Sequence, residues 1–240
     1  MVYGVILASG VGKRMGLDIP KQYVEIEGKP IIVYTIRSML QTDKIDWIYI
    51  AVSAMYVNYM EDTLDHYFEQ KEIEKIRIVE GGKERIDTIN NVTKEIVTSR
   101  PVEENDVVIF HDAVRPFVTK RILEDSIEGV MKYGATVAGL PAVDTMLYSE
   151  DGNRVDDIPL RSTIFHGQAP DSFRLKYFLE LAENLTEEQK GSLTGTSQFC
   201  TYNKRPIYLI KGDPLNFKIT TLDDLTRAEM IVKEMEDKER

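Results

Sequence analysis

The sequence predicts an α/β architecture: a mostly parallel β-sheet flanked by helices, with a β-arm projecting from it. Three observations predict it. Short apolar runs alternate at close spacing with segments of helical periodicity, the pattern of strand–helix–strand units that build a parallel sheet. With 240 residues, 42% of them hydrophobic and 29% charged, the chain can bury one sizeable core, so a single domain over 1–240 is expected. From Asp144 through Gln168 the helical periodicity lapses, and extended pieces flank Asp151-Gly152-Asn153, a hairpin signal that marks the arm.

The elements follow in order. Val2 to Leu7 is an apolar run and reads as a short buried strand. Lys29 to Gln41 carries Ile32, Ile36, Met39 and Leu40 at helical spacing, with Pro30 near the start, where a missing N–H costs little. Trp47 to Val52 reads as a strand, and Met55 to Tyr67 as a helix with Val57, Met60, Leu64 and Tyr67 on one face. Ile76 to Val79 is a strand that ends at Glu80-Gly81-Gly82. Arg85 to Ile96 is a helix whose face is Ile86, Ile89, Val92 and Ile96. Val107 to Phe110 is a strand running into His111-Asp112; Lys120 to Lys132 is a helix and Thr136 to Leu140 a strand. Beyond the arm come a helix at Leu175 to Leu185, a strand at Ile207 to Ile210 and an amphipathic helix at Leu222 to Met235.

Composition narrows the function classes. The net charge of −10 argues against a general nucleic-acid binder, which carries a basic footprint. One cysteine, Cys200, excludes an internal disulfide and a Cys-rich zinc site, and three scattered histidines make no metal site. No apolar run approaches the length of a membrane span, and Met1 runs into a strand without a basic leader and cleavage site. A cytoplasmic protein with no membrane partner is the expectation.

Against this acidic background one basic cluster stands out. The first strand stops at Ala8-Ser9-Gly10-Val11-Gly12, where small residues open the backbone to a ligand and exposed N–H groups form an anion-binding concavity. Lys13, Arg14 and Lys21 arrive within the next eleven residues, the last inside Pro20-Lys21-Gln22. A bare turn beside mobile cations suits a polyphosphate whose charge rises as a phosphoryl bond is attacked. The stretch lacks the Gly-Lys-Ser/Thr ending of a P-loop. Its glycines, Gly10, Gly12 and Gly16, are spaced one residue too widely for the dinucleotide fingerprint.

Two further strand-to-loop junctions carry the same logic. Gly81-Gly82-Lys83-Glu84-Arg85-Ile86-Asp87-Thr88 opens a helix, whose first N–H groups attract anions and polar ligand edges. Asp87 and Thr88 there either read a base or cap the helix. His111-Asp112-Ala113-Val114-Arg115-Pro116-Phe117 ends the fourth strand, where open α/β sheets gather ligands. Asp112 can hold Mg²⁺ beside substrate phosphates, and Arg115 offers a planar fork to a second phosphate. The bland alternative is an Asp112–Arg115 salt bridge that shapes the loop; His111 reads as structural.

Leu7-Ala8-Ser9-Gly10-Val11-Gly12-Lys13-Arg14-Met15 followed by Pro20-Lys21-Gln22 resembles the signature of the sugar-phosphate nucleotidyltransferases. His111-Asp112-Ala113-Val114-Arg115-Pro116-Phe117 narrows the resemblance to the cytidylyltransferases that act on polyol phosphates, and it extends from Val2 to Ile231 with the motifs in order. The resemblance implies a Rossmann-like nucleotidyltransferase fold, CTP as substrate and Mg²⁺ as cofactor. It implies that CTP lies across Leu7, Ala8, Ser9 and Gly10 and along Gly81, Gly82, Lys83, Arg85, Asp87 and Thr88, with Ala113 beside it. Arg14 and Lys21 would stabilise the pentavalent phosphorus, and Asp112 would sit at the metal. Arg161 and Lys218 align with residues that position the acceptor phosphate, with Asp144 and Thr145 near the polyol hydroxyls. A homodimer through the arm is implied as well.

Two branches of that family compete. One makes CDP-methylerythritol for isoprenoids, the other CDP-ribitol for teichoic acids or capsules. The first commonly shows Thr-Pro-Gln where this chain has Ala169-Pro170-Asp171, and an acidic residue where it has Gly195. The second better matches Asp157-Ile158-Pro159, Gly167-Gln168 and the run Leu185 to Lys190. The expected reaction is therefore cytidylyl transfer to D-ribitol 5-phosphate, with 2-C-methyl-D-erythritol 4-phosphate as the alternative acceptor and a non-catalytic CTP sensor as the alternative class. The acceptor phosphate is already an anionic nucleophile, so no general base is required.

Overall fold

The computed structural model describes residues 1–10 and 19–239. Nine strands and nine α-helices are found among them: β1 (Val2–Ala8), β2 (Glu25–Ile26), β3 (Lys29–Pro30), α1 (Ile31–Met39), β4 (Trp47–Val52), α2 (Val57–Tyr67), α3 (Gln70–Ile73), β5 (Ile76–Glu80), α4 (Arg85–Ser99), β6 (Val107–Asp112), α5 (Lys120–Tyr133), β7 (Ala135–Pro141), β8 (Phe165–Arg174), α6 (Leu175–Glu183), α7 (Glu187–Gly191), α8 (Gln198–Tyr202), β9 (Tyr208–Lys211) and α9 (Leu222–Glu239). Seven strands form one sheet in the order β5-β4-β1-β6-β8-β7-β9. Only β8 runs against its neighbours, pairing antiparallel with β6 and β7; the other four pairings are parallel.

Strand alternation divides the core in two, because successive side chains point to opposite faces. On one face Ile6, Ile50 and Ile109 meet Ile32 and Ile36 of α1, Met60 of α2 and Ile122 of α5. On the other, Val5, Val108 and Phe110 meet Ile89 and Val92 of α4, Phe178 of α6 and Phe199 of α8. Cys200 is buried in this second layer, and its thiol is pushed up to about 11 by burial, so it is inert there. A smaller third cluster seats α9, through Ala228 and Val232, against Ile26, Ile31 and Ile219. This is the mostly parallel sheet flanked by helices that the sequence predicts.

The differences have local causes. The first helix starts at Ile31 because Lys29–Pro30 pairs with Glu25–Ile26 around Glu27 and Gly28, both with positive φ, leaving Pro30 as N-cap. The arm expected over 144–168 is shorter. Its one ladder contact is a Tyr148–Asp157 bridge, and Phe165–Gln168 belongs to β8. Strand β8 itself goes unpredicted: His166-Gly167-Gln168-Ala169-Pro170-Asp171 has neither alternation nor an apolar run, yet it is covered from both sides by β6 and β7.

Asp106, at the head of β6, is nearly buried and accepts the Met1 α-ammonium on Oδ1 (2.8 Å), Arg100 Nη2 on both oxygens (2.8 and 2.7 Å) and the Glu103 N–H (2.8 Å). Burial pushes its carboxyl up, but these bonds outweigh burial and hold it below its ordinary value. Asp106→Asn is expected to cost about 1–2 kcal/mol at pH 7 by urea denaturation, since Arg100 reaches solvent and is screened. A lowered carboxyl contributes stability above its unfolded pKa and loses it as the pH falls. The gap between wild type and variant should therefore close below about pH 4.

Candidate active site

The chain leaves β1 toward β4 on one side and returns to β6 on the other. That reversal opens a crevice between the C-terminal ends of β1 and β6. Leu7 and Asp112 stand opposite each other in register, and the Ala113 N–H donates to Leu7 O (3.3 Å). A cavity of about 410 Å³ opens here, lined by Leu7, Ser9, Gly10, Lys83, Arg85 and Thr88, with Lys21, Asp112, Ala113 and Lys218 among the rest of its wall.

Thr88 stitches two loops together. Its hydroxyl meets Ser9 Oγ at 2.9 Å, accepts the Gly82 N–H at 3.0 Å and lies against Glu84 O. The approach is so close that a Cβ on Gly81 would stand 2.5 Å from Ser9 Cβ, and one on Gly82 2.0 Å from Asp87 Cβ. Asp87 is not in the cavity wall. Its carboxylate accepts the Glu84 N–H (3.1 Å) in a capping box at the start of α4, so of its two expected roles the capping one is seen.

Gln22 is a residue whose part sequence reasoning missed. It is buried, and its amide donates to Ala8 O (2.6 Å) and Gly10 O (3.0 Å), fixing the end of β1 to the segment after the loop. Its place in Pro20-Lys21-Gln22 was the available signal. Next to it, Lys21 is only 6% exposed, and its Nζ donates to Ile219 O (3.4 Å). Residues 1–10 and 218–219 are thus drawn to one site. Arg14 lies outside the described residues.

The electrostatic centre is Asp112. Its Oδ2 accepts Arg115 Nε at 3.0 Å and pairs with Lys218 Nζ at 3.1 Å, while Arg85 Nη1 is 3.8 Å from Oδ1. Burial raises the carboxyl, but Lys218, Arg115 and Arg85 outweigh it and hold the group far below the ordinary range. So the bland Asp112–Arg115 salt bridge is present, inside a larger cluster of three cations. His111 behind it is fully buried; burial holds its pKa down at about 4, and Nε2 donates to Arg115 O (3.0 Å). Arg115 Nη1 in turn donates to Asn216 O (2.8 Å), carrying the loop before Lys218 into the cluster.

A second compartment of about 190 Å³ adjoins the first, sharing Arg85, Asp112 and Lys218 with it and extending past Arg115 to Gln168, Asp171 and Thr194–Ser197. Arg161, Asp144 and Thr145 line neither cavity. All three are exposed on the arm, and Arg161 Nη1 donates to Val143 O (3.2 Å). No group of three or more His, Cys, Asp or Glu side chains forms a metal cluster among the described residues.

A cavity at the switch point of this sheet, walled by backbone turns and cations, suits a phosphate-bearing ligand, and the family match makes the class a nucleotidyltransferase. The chain belongs to the IspD family, 2-C-methyl-D-erythritol 4-phosphate cytidylyltransferase, whose model matches residues 2–234. It is therefore a cytidylyltransferase by family. Solved structures share the fold. The 4-diphosphocytidyl-2C-methyl-D-erythritol synthase of Anaerococcus prevotii superimposes with a TM-score of 0.78 at 23% identity, over 97% of this chain and 98% of that one. The 2-C-methyl-D-erythritol 4-phosphate cytidylyltransferase of Francisella tularensis gives 0.78 at 25% identity, over 95% and 98%. That of Thermus thermophilus gives 0.72 at 22%, over 97% and 100%. No helix among the described residues is long and apolar enough to cross a membrane.

Proposed function

We propose that this chain transfers the cytidylyl group of CTP to a polyol phosphate, with 2-C-methyl-D-erythritol 4-phosphate as the acceptor. The observation that carries the transfer is the convergence of Lys21, Arg85, Arg115 and Lys218 on one crevice around Asp112. The choice of acceptor rests on a family match that spans nearly the whole chain. It replaces ribitol 5-phosphate as the leading reading. Ribitol 5-phosphate stays as the second reading on one observation: Ala169, Asp171 and Gly195, where this chain departs from the methylerythritol pattern, all line the second compartment.

In this reading the CTP phosphates lie against Ser9, Gly10 and the Lys83–Thr88 turn. An oxygen of the acceptor phosphate attacks the α-phosphorus in line. A new P–O bond forms, the bond to the bridging oxygen of the β-phosphate breaks, and pyrophosphate leaves with the electron pair. Lys218 and Arg115 hold the acceptor phosphate, while Lys21 and Arg14 meet the charge that grows at phosphorus. Asp112 suits Mg²⁺: it is a hard oxygen donor, and this ion needs only one or two carboxylates beside substrate phosphates. Bound there, Mg²⁺ supplies charge neutralisation across the triphosphate.

Arg161, Asp144 and Thr145 stand outside both cavities of a single chain. A role for them at the acceptor fits a second copy of this chain bringing its arm to the site. The arm's exposed Val143, Leu147, Ile158 and Leu160 favour such a contact. Sedimentation is expected to give a dimer, and a monomer under assay conditions would remove this part. The enzymatic test is pyrophosphate release from CTP and Mg²⁺ with each acceptor separately.

A further inference from the structure

The two ends of the second compartment differ in chemistry. At the end shared with the main cavity stand Arg85, Arg115 and Lys218 around Asp112. At the other end stands Asp171, which lies opposite Phe110 in the β6–β8 ladder and is almost entirely buried. A buried carboxylate is costly unless its oxygens are bonded. Asp171 accepts the Thr196 hydroxyl and the Ser197 N–H (2.8 Å), and both fall on Oδ2. Among the described residues no hydrogen bond falls on Oδ1, and the Asp171 side chain lines the compartment. Gln168, another polar side chain of this wall, is committed to structure. Its amide donates to Asp213 O (2.9 Å) and its oxygen accepts the Asp213 N–H (3.1 Å).

Burial pushes the Asp171 carboxyl up, and the Thr196 and Ser197 donors oppose burial by favouring the charged form. As a carboxylate it only accepts hydrogen bonds, and its charge repels a phosphate. A phosphorylated acceptor in this compartment therefore places its phosphate at the cation end and turns a hydroxyl-bearing chain toward Asp171. We propose that Asp171 determines acceptor specificity by accepting, at Oδ1, a hydrogen bond from a hydroxyl of the acceptor's polyol chain. The inference rests on the reading that the acceptor is a polyol phosphate.

Asp171→Asn is the direct test. The amide oxygen can keep both the Thr196 and Ser197 bonds, while an NH₂ group replaces the accepting oxygen. The acceptor KM should rise about tenfold or more, with the KM for CTP within about twofold. Wild-type enzyme provides a second readout that needs no variant: kcat/KM for the better polyol phosphate against n-pentyl phosphate, which has no hydroxyl. Wild type should favour the polyol phosphate by about tenfold or more, and Asp171→Asn should shrink that ratio. Thr196→Val removes one bond to Oδ2 but leaves Oδ1 in place, so it should shrink the ratio less than Asp171→Asn does.

An unchanged ratio in Asp171→Asn, or equal use of n-pentyl phosphate by wild type, overturns this inference alone. So does a Thr196→Val ratio that shrinks as much as that of Asp171→Asn, since Asp171 would then act only by holding residues 194–197. Wild-type enzyme that releases no pyrophosphate with either polyol phosphate removes the proposed acceptor class, and this inference with it.

Discussion

Lys21→Met is expected to lower kcat by roughly 10²–10³-fold while leaving the KM for CTP within about threefold. The cation is nearly buried beside the cavity, and its Nζ is aimed by the Ile219 carbonyl, so its position is set before substrate arrives. Charge at the attacked phosphorus peaks in the transition state, so a fixed cation contributes there more than in the ground state. Methionine keeps the stem's packing and removes only the charge and its donors, which separates catalysis from folding. Steady-state kinetics with a thermal melt of the same sample checks this. A variant that melts normally and turns over at the wild-type rate would show that Lys21 is only a structural tie to residues 218–219.

Asp112→Asn should have an effect of similar size with the opposite electrostatic sign. The carboxylate is the counter-charge for Arg85, Arg115 and Lys218. Removing it leaves three cations facing one another at low exposure, a loss of a few kcal/mol of stability by the usual cost of breaking a buried ion pair. Turnover with Mg²⁺ should fall by at least about 10²-fold, because the proposed metal site loses its negative charge while the amide keeps only a neutral oxygen. Metal-free inorganic pyrophosphate should bind the variant more tightly than wild type, since the cations are no longer shared with a carboxylate that repels phosphate. Calorimetry with pyrophosphate in chelator, beside kinetics over a Mg²⁺ series, reads both effects. Weaker pyrophosphate binding together with unchanged Mg²⁺ dependence would contradict the role given to Asp112.

Much of the sheet was legible because its inner strands are apolar on both faces. Val5-Ile6-Leu7 and Val107 to Phe110 cannot be read otherwise, and the faces of α1, α2 and α4 repeat at helical spacing. β8 was not legible. Its burial comes from β6 and β7, which are remote in sequence, and its residues carry polar contacts such as those of Gln168 and Asp171 instead of an alternating pattern. The arm's boundary failed for the same reason.

At the site, residue type and junction pointed to the Ser9–Gly10 turn, to Asp112 and to the turn before Thr88. Short-range spacing could not show that Lys218 reaches Asp112 from across the chain, or that Asp87 is spent on a cap. Nor could it show that Gln22 ties down Ala8 and Gly10, since its partners are backbone oxygens that no motif names.

The most direct test of the central claim is pyrophosphate release by the purified protein from CTP and Mg²⁺, run in parallel with methylerythritol 4-phosphate and ribitol 5-phosphate. The account predicts release that requires CTP and a polyol phosphate together, with methylerythritol 4-phosphate the better acceptor. Release with ribitol 5-phosphate alone would reverse the choice of acceptor and leave the chemistry standing. No release with either, from protein that binds CTP, would contradict cytidylyl transfer to a polyol phosphate.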